Sequence, residues 1–274
     1  MSEKLKIVAR ETLDILNQGF YTLPSGKHVD VSIQQKHAEE ASHLFNPEQG
    51  EQLVLAIKSQ STALSAQINV KNESTVDTIT ENASTTERIA ALNFASAKNP
   101  GGGFINGSIA QEEALAYSSG LYKTQILHNT YYESNKACGS MCYTDHAIYS
   151  PDVPFFRNSD YDLLETLTTC SILTLPAVNM AQVVIKGENV NRAKTVMKNR
   201  MRISLAILAH EKNTMIILGA YGCGVFGNNP NEVAQWWKEL LIDEKYERFF
   251  KQVIFTVLDR PGGSNISAFM QLFG

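Results

Sequence analysis

The chain has 274 residues, of which 43% are hydrophobic, and a formal net charge of -4. This length and apolar content are enough to bury a full core, and they predict one large domain or one domain with an extension. The acidic balance offers no broad cationic surface, so nucleic acid is not an expected partner, and a polyanionic ligand would have to be recognised locally through backbone dipoles.

Membrane and metal signals are weak in this sequence. No hydrophobic run approaches the roughly 20 residues that a membrane-spanning helix needs, and no signal-type apolar core follows the N-terminus, so we expect a cytoplasmic protein without a membrane partner. Four cysteines in so long a chain fit reduced thiols better than a disulfide framework. Cys138 and Cys142 are close in sequence, but nothing nearby completes a four-ligand set, so no metal site is expected.

The first part of the chain is predicted to be mainly helical. Residues 2–18 place apolar side chains at helical spacing, and residues 20–32 alternate around a Pro-Ser-Gly turn, which predicts a short hairpin. Residues 33–44 are again predicted to be helical. Because the polar stretch from Asn46 to Gln52 is the best candidate boundary, we expect residues 1–60 to be an N-terminal accessory helical segment packed on the core.

The main domain is expected over residues 61–274, where strands alternate with helices. Residues 66–70 predict a strand, Ser74 is a candidate cap for a helix over residues 75–86, and residues 88–94 predict a short apolar strand. This alternation of strands and helices is typical of a mixed α/β sheet flanked by helices. In such sheets, ligands bind beyond the carboxyl ends of the strands.

Three successive glycines, Gly101 to Gly103, lie in the loop that follows that apolar strand, which we call the first glycine loop. Glycine has no Cβ, so this backbone can adopt positive φ and lie directly against a ligand. A helix packed on one side is predicted over residues 110–121, and its first turn carries Gln111, Glu112 and Glu113. A ligand on the glycines would therefore find a carboxyl group beside it, as a reactive site for a sugar phosphate requires.

The second half of the chain continues the alternation. Residues 128–160 are rich in turns, and residues 148–157 contain two prolines, which predict a short edge strand leading to a loop. The unbroken apolar run over residues 214–219 predicts a central strand that is buried on both faces. The other predicted elements are a strand or loop over 171–178 interrupted at Pro176, a long helix over 191–210, a helix containing Val233 and Trp237, a strand over 252–258 and a helix over 266–273.

A second glycine-rich loop, Gly222 to Gly227, lies between the predicted central strand and the start of a helix. Its amides can form a concave set of donors for the oxygens of a diphosphate, aided by the helix dipole. A tight turn is the alternative interpretation, and the match to Gly-x-Gly-x-x-Gly is weak evidence by itself. Two such loops, each after a strand, favour ligand binding. Phe226 is then a candidate to stack on a ribose or a base, with a place in the core as the alternative.

The acidic pair and the flanking asparagines also have ordinary interpretations. Acidic residues at a helix start commonly complement the helix dipole at the surface, and only the glycine context favours a functional role for Glu112 and Glu113. Asn93 and Asn99 flank the first loop and are candidates for hydrogen bonds to ribose. Asn before a proline, as at Asn99, is equally a common turn former.

The triple glycine and the Gln-Glu-Glu triplet that follows it after a short spacing resemble the signature of poly(ADP-ribose) glycohydrolases. Residues 93–103 are similar to their short microbial branch, and the likeness extends from the region of Val70 to the C-terminus. The resemblance implies a macrodomain-like fold, with residues 61–274 as the catalytic domain. It also implies metal-independent hydrolysis of the ribose–ribose O-glycosidic bonds of poly(ADP-ribose), without a cofactor and with ADP-ribose as the product.

The resemblance further implies roles for individual residues. It assigns Glu113 as the catalytic residue and Glu112 as the residue that binds and orients ribose hydroxyls, while Gln111 is expected to position its neighbours. The departing 2′-oxygen needs a proton and a water must then attack, so one Glu would act first as acid and then as base. The residues expected to bind substrate are Asn99, Gly101, Gly102, Gly103, Gln111, Gly222, Cys223, Gly224, Val225 and Phe226.

Two alternatives remain open at this point. A binding module that reads ADP-ribose without hydrolysing it would use both glycine loops, although it has no need of Gln-Glu-Glu beside the ribose. A hydrolase of another ADP-ribose adduct, on protein or nucleic acid, would use the same site, and the acidic balance argues against nucleic acid as the carrier. The expected substrate is therefore poly(ADP-ribose) or an ADP-ribosylated protein.

Overall fold

The computed structural model describes residues 2–60, residue 62 and residues 64–274. Within this part, the strands are β1 (Phe20–Thr22), β2 (His28–Asp30), β3 (His43–Phe45), β4 (Gln67–Lys71), β5 (Ile89–Ala95), β6 (Ala147–Arg157), β7 (Leu163–Pro176), β8 (Met215–Leu218) and β9 (Gln252–Thr256). The helices are α1 (Ser2–Gln18), α2 (Ser32–Ala41), α3 (Pro47–Lys58), α4 (Thr75–Glu81), α5 (Gln111–Ser118), α6 (Leu121–Gln125), α7 (Asn129–Ala137), α8 (Met180–Ile185), α9 (Val190–His210), α10 (Pro230–Lys238) and α11 (Ser264–Phe273).

In these residues a seven-stranded mixed sheet, in the order β3-β6-β7-β5-β8-β9-β4, forms the centre of the fold. Strands β7, β5, β8, β9 and β4 pair in parallel, while β6 is antiparallel to both of its neighbours. Parallel neighbours end at the same edge of a sheet, so the loops after β5 and β8 lie side by side. The predicted mixed α/β sheet flanked by helices, with a macrodomain-like fold, is confirmed.

Buried side chains cover both faces of the sheet. On one face, Met197 of α9 belongs to the same apolar cluster as Ile216 of β8. On the other face, Leu115 of α5 clusters with Ile217 of β8. All of β8 is buried, which confirms the prediction of a central strand covered on both sides. The sheet thereby gives α5, which carries the acidic pair, a fixed platform.

The N-terminal part confirms two predictions and corrects one. The helix α1 and the hairpin formed by β1 and β2 lie where they were predicted. The predicted helix over 33–44 ends at Ala41, because residues 43–45 instead form β3 and pair with β6. The expected boundary at Asn46 to Gln52 is the start of α3, where Asn46 and Gln49 form a capping box in front of Pro47. The division at residue 60 stays a prediction, with β3 belonging to the main sheet.

The prediction of a short edge strand over residues 148–157 is wrong. The strand β6 runs from Ala147 to Arg157 inside the sheet, between β3 and β7. Its prolines are tolerated because β3 pairs only with residues 147–149, and because the register shifts between Ser150 and Val153, with Asp152 at a φ of 47°. The strand β7 is likewise longer than predicted, since it begins at Leu163.

Several helices differ from the predictions in length or existence. Ser74 caps α4 as predicted, but that helix ends at Glu81, and α9 matches its predicted span. The helices α7 and α8 were not predicted. In the described residues, none of the helices combines the length and the apolar content that crossing a membrane requires.

Candidate active site

The helix α5 is fixed to the end of β5 by the side chain of its first residue, Gln111. The Oε1 of Gln111 accepts from the backbone N–H of Phe94 at 2.9 Å, and its Nε2 donates to the backbone oxygen of Leu92 at 2.9 Å and to Thr75 Oγ1 at 3.2 Å. Both ends of the amide are therefore engaged with the protein. This geometry fits the expected positioning role of Gln111 better than direct binding of substrate.

Glu112 is buried, with 3% of its surface exposed, among donors from separate segments. In the described residues its carboxylate accepts from the backbone N–H of Ser96 at 2.7 Å, from Gln125 Nε2 at 3.0 Å and from Asn93 Nδ2 at 3.2 Å. Burial raises the pKa of the Glu112 carboxyl to about 7 against the opposing effect of these N–H donors, and repulsion from Glu113 adds to the increase. Glu112 is therefore held rigidly in one orientation.

Glu113 is also buried, with 9% of its surface exposed, but it has fewer protein partners. Its Oε1 accepts from the backbone N–H of Gly103 at 2.8 Å. Among the described residues, Gly103 is the group that hydrogen-bonds this carboxylate, so Oε2 is left for another partner. Of the two acids, Glu113 is thus the one with an oxygen available to a reacting group.

The triple glycine holds the two acids in place. Gly101 and Gly102 have φ angles of 64° and 60°, in the left-handed region that favours glycine. A Cβ on Gly102 would lie 2.4 Å from Oε1 of Glu113 and 3.1 Å from Oε2 of Glu112. The missing side chain of Gly102 therefore makes room for both carboxylates.

The amides of this triplet are used within the protein. The N–H of Gly101 donates to Gln125 Oε1 at 2.8 Å, and the N–H of Gly102 donates to the backbone oxygen of Asn99 at 3.1 Å. The N–H of Gly103 donates to Glu113. The triplet therefore does not offer these amides to a phosphate. Contact between its backbone and a ligand stays a prediction.

Gln125 is a site residue that the sequence analysis missed. Its amide bridges the first glycine loop and the acidic pair, because Oε1 accepts from Gly101 while Nε2 donates to Glu112. It lies on α6 and is buried in the structure. A glutamine in a short helix carries no local signal of such a role, which arises only when α6 packs beside α5.

The two asparagines that flank the first loop differ in position. Asn93 is fully buried and donates to Glu112 and to Thr174 Oγ1, so it supports the acid and is not presented at the surface. Asn99 is exposed, and its main chain shapes the loop through the Gly102 amide and through Ser96 Oγ. Binding of ribose by Asn99 stays a prediction.

The second glycine loop, Gly222 to Gly227, differs from the triple glycine in how its backbone amides are used. Gly222 and Gly227 have φ angles of 72° and 68° and turn the chain at its two ends. Among the described residues, no hydrogen bond engages the N–H groups of Gly224, Val225 or Phe226. Donors of this kind directly before the N-terminus of α10 are suited to the oxygens of a diphosphate.

The side chains of this loop point in different directions. The Cys223 sulfur lies 3.8 Å from the backbone oxygen of Tyr221, and burial raises the pKa of its thiol to about 12. Val225 is 89% exposed. The ring centroid of Phe226 lies 6.1 Å from that of Tyr143. Phe226 thus stands partly buried at the border of the loop, where the stacking predicted from the sequence stays a prediction.

The two loops are joined at one edge of the sheet, because β5 and β8 are parallel neighbours. The ring of Phe94, in β5, lies 5.6 Å from that of Tyr221, just after β8. A Cβ on Gly219 would be 2.4 Å from the backbone oxygen of Thr256 and 3.1 Å from Phe94 Cζ, so the strand ends are closely packed. The acids and the second loop therefore belong to one surface.

A cavity of about 520 Å³ opens at the same edge. Its wall combines residues at or after the ends of β4, β5, β8 and β9 with the start of α5 and with the turn after β6. Of the residues predicted to bind substrate, Gln111 contributes to the lining described here, and neither of the two acids does. Lining residues that the sequence analysis did not select include Asp77, Phe94, Ile109, Tyr161, Leu258 and Asn265.

Comparisons with known proteins agree with this geometry. The family model described as the catalytic domain of microbial-type PARG matches residues 9–158. The structure is similar to that of poly(ADP-ribose) glycohydrolase from Thermomonospora curvata, with a TM-score of 0.94, 36% sequence identity and coverage of 99% of this chain and 100% of that one. A search of curated proteins gave no match.

Two structures with bound ligands are also similar. The Thermomonospora curvata enzyme bound to the inhibitor ADP-HPD has a TM-score of 0.91 and 36% identity, with coverage of 98% of this chain and 99% of that one. The poly(ADP-ribose) glycohydrolase from Deinococcus radiodurans in complex with ADP-ribose has a TM-score of 0.83 and 37% identity. That match covers 92% of this chain and 98% of the other.

Proposed function

Because this chain belongs to the microbial-type poly(ADP-ribose) glycohydrolases and therefore hydrolyses poly(ADP-ribose), we propose that Glu113 is its catalytic acid and Glu112 its ribose-binding residue. The single observation that supports this assignment best is the difference between the two carboxylates. Glu112 is held by N–H donors from Ser96, Asn93 and Gln125, whereas one oxygen of Glu113 has no hydrogen bond to the residues that the structure describes. A proton donor needs that freedom to reach its substrate.

Cleavage of the ribose–ribose bond sets the task for Glu113. The bond between the anomeric carbon and the 2′-oxygen of the preceding unit breaks, the electron pair stays on the oxygen, and the ribose becomes oxocarbenium-like. Glu113 gives its proton to the leaving oxygen. The resulting carboxylate then takes a proton from the water that attacks the anomeric carbon, which restores the acid. ADP-ribose and a shortened polymer are the products.

Glu112 and the first loop supply orientation. Each oxygen of a carboxylate accepts more than one hydrogen bond, so Oε2 of Glu112, which accepts from Ser96, can also accept from a ribose hydroxyl. The Gly101–Gln125–Glu112 connection ends on Oε1 of Glu112 and keeps the carboxylate in place while the ligand enters. Orientation of this kind lowers the barrier by holding the reacting bond beside Glu113.

The second loop and the cavity take the rest of the ligand in this proposal. The unengaged amides of Gly224, Val225 and Phe226 bind the diphosphate. The cavity takes the adenosine half, because its wall pairs apolar surface from Phe94 and Leu258 with polar groups that can bond a base. These assignments extend over one continuous edge of the sheet.

The cellular context is also inferred from the chain. A cytoplasmic location is supported by the free state of the cysteines that the structure describes, since reduced thiols are typical of that compartment. An ADP-ribosylated protein that carries the polymer is the proposed macromolecular partner. The net charge of -4 supports protein over nucleic acid as the carrier.

The proposal is tested by incubating the purified wild type and Glu113→Gln with poly(ADP-ribose) and, separately, with a mono-ADP-ribosylated protein, and measuring free ADP-ribose by chromatography. Release from the polymer by the wild type and not by Glu113→Gln supports the assignment of Glu113. Release from the mono-modified protein instead would assign the site to a different adduct. Tight binding of ADP-ribose without release from either substrate would make the protein a reader of the modification.

A further inference from the structure

Tyr161 forms part of the cavity wall in an unusual backbone conformation. It lies in the turn between β6 and β7, and its φ of 69° is in the left-handed region. A bulky residue in that region is strained and persists only where its surroundings hold it. The contacts that hold Tyr161 therefore also set the shape of the cavity.

Arg157 provides one of these contacts. It is the last residue of β6, it is 4% exposed, and its Nη1 donates to the backbone oxygen of Tyr161 at 2.7 Å. The N–H of Tyr161 donates in turn to the backbone oxygen of Asn158 at 3.0 Å. The turn is thus closed from inside by a buried guanidinium.

The N-terminal helix α1 completes this arrangement. The Nη2 of Arg157 lies 3.0 Å from Oε2 of Glu11. Among the described residues, Glu11 is the acid that forms a salt bridge with Arg157. A buried cation needs such a partner, because its desolvation is costly. Glu11 thereby connects α1 to the turn that carries Tyr161.

The ring of Tyr161 is supported by the same helix. It packs edge-on against Tyr117 of α5, with ring centroids 5.2 Å apart, beside a buried cluster that includes Leu5 and Val8 of α1. Phe104, directly after the triple glycine, belongs to this cluster as well. The Tyr161 ring is therefore packed against α1 and α5, and the same residue lines the cavity.

We propose that Tyr161 determines specificity for the nucleoside end of the ligand, and that Arg157 and Glu11 are positioning residues that hold it in place. This inference rests on the proposed function, which assigns the cavity to adenosine. Its chemical basis is that an aromatic ring in the same cavity wall as Phe94 and Ile109 offers a flat apolar surface to a nucleobase. The helix α1 then contributes to substrate binding without a catalytic residue of its own.

The experiment compares three ligands that differ in what they place in the cavity. The dissociation constants of ADP-ribose, AMP and ribose 5-phosphate are measured by calorimetry for the wild type, Tyr161→Phe, Tyr161→Ala and Glu11→Ala. Tyr161→Ala should weaken ADP-ribose and AMP about tenfold, the size of one lost base–aromatic contact, and leave ribose 5-phosphate unchanged. Tyr161→Phe keeps the ring and should stay within about twofold of the wild type.

Glu11→Ala tests the positioning role. It should weaken ADP-ribose and AMP by about threefold, again without an effect on ribose 5-phosphate, and Glu11→Gln, which can still accept from Arg157, should restore most of the affinity. The matched control is Asn17→Ala, which removes a bond from α1 to Lys123 of α6 and should change no ligand's affinity. On poly(ADP-ribose), the Tyr161 and Glu11 variants should raise KM with little change in kcat.

Three results would overturn the inference. Equal weakening of all three ligands would place Tyr161 outside the nucleoside subsite. A fall in kcat at unchanged KM would place it at the reacting bond. A lower melting temperature with unchanged affinities would make the Glu11–Arg157–Tyr161 connection purely structural. A wild-type protein that binds ADP-ribose but leaves the polymer intact would reject the proposed hydrolysis, while the ligand comparison would still test Tyr161.

Discussion

The backbone N–H of Gly103 donates to Oε1 of Glu113 at 2.8 Å, so the last glycine of the triplet holds the acid that follows it by ten positions. The bond leaves Oε2 of Glu113 free of protein hydrogen bonds among the described residues. Because Gly102 has no Cβ, the carboxylate can approach the loop closely. A short glycine-rich segment thus sets both the position and the accessible atom of the proposed acid.

Glu113→Gln should abolish hydrolysis while retaining binding. Glutamine keeps the size of the side chain, and its Oε1 can still accept from Gly103, but it cannot donate and recover a proton. We expect hydrolysis of poly(ADP-ribose) to fall by at least about 10³-fold, with the dissociation constant of ADP-ribose within about threefold of the wild type. Release assays and calorimetry measure the two quantities. Normal turnover by this variant would remove Glu113 as the acid.

Gly102→Ala should damage the acidic pair through its geometry. The new Cβ would lie 2.4 Å from Oε1 of Glu113, at a φ of 60° that L-residues rarely adopt. We expect a loss of stability of about 1–3 kcal/mol together with a large loss of activity. The matched control is Gly139→Ala, where the added Cβ meets no atom of the described part of the chain within 4 Å. Chemical denaturation of both variants checks the prediction, which equal stabilities would contradict.

Glu112 should make the fold less stable as the pH rises. Burial raises the pKa of its carboxyl from 4.5 to about 7, so between these values the unfolded chain has released a proton that the folded protein keeps. Stability is then lost with rising pH, by up to about 1.4 kcal/mol per pH unit and about 3 kcal/mol in all.

Glu112→Gln cannot titrate and should lose this contribution. We therefore expect the unfolding free energy of the wild type, relative to the variant, to fall between pH 4.5 and pH 7 and then level off. Urea denaturation at a series of pH values measures the difference, in which the contributions of the other acidic residues cancel. A difference that does not change with pH would show that Glu112 is ionised throughout the range.

Two glycines of the second loop should respond differently to alanine. In Gly224→Ala the added Cβ meets no atom within 4 Å among the residues that the structure covers, so the fold should be retained. The methyl group nevertheless stands beside the amides proposed for the diphosphate. We expect the affinity for ADP-ribose to fall about tenfold at an unchanged melting temperature. In Gly222→Ala the Cβ would lie 2.6 Å from Ala177 and from Asn228, so the melting temperature should fall as well. Unchanged affinity in Gly224→Ala would argue against this loop as the diphosphate site.

Much of the fold could be predicted because its signals are local. The helix α9 has a long apolar periodicity, β8 is an unbroken apolar run, and Ser74 caps α4, so each of these was recognisable in a short window of sequence. The short elements α7, α8 and β3 were missed because they bury few residues of their own, and their conformation depends on what they pack against. The prolines of β6 misled the prediction, because only the pairing partners reveal that a strand tolerates them there.

By itself, the sequence determined the composition of the site, which comprises a triple glycine, an acidic pair at a helix start and a second glycine loop after a buried strand. Each of these features could be recognised because its residues are close together in the chain. The tertiary structure decided which acid keeps a free oxygen, because the donors to Glu112 come from β5, the first loop and α6. It also decided that Tyr161 lines the cavity and that α1 packs against Tyr161. The donors to Glu112 lie 13 to 19 residues from it, and Arg157 and Glu11 are 146 residues apart. No local pattern records a pairing that only packing creates.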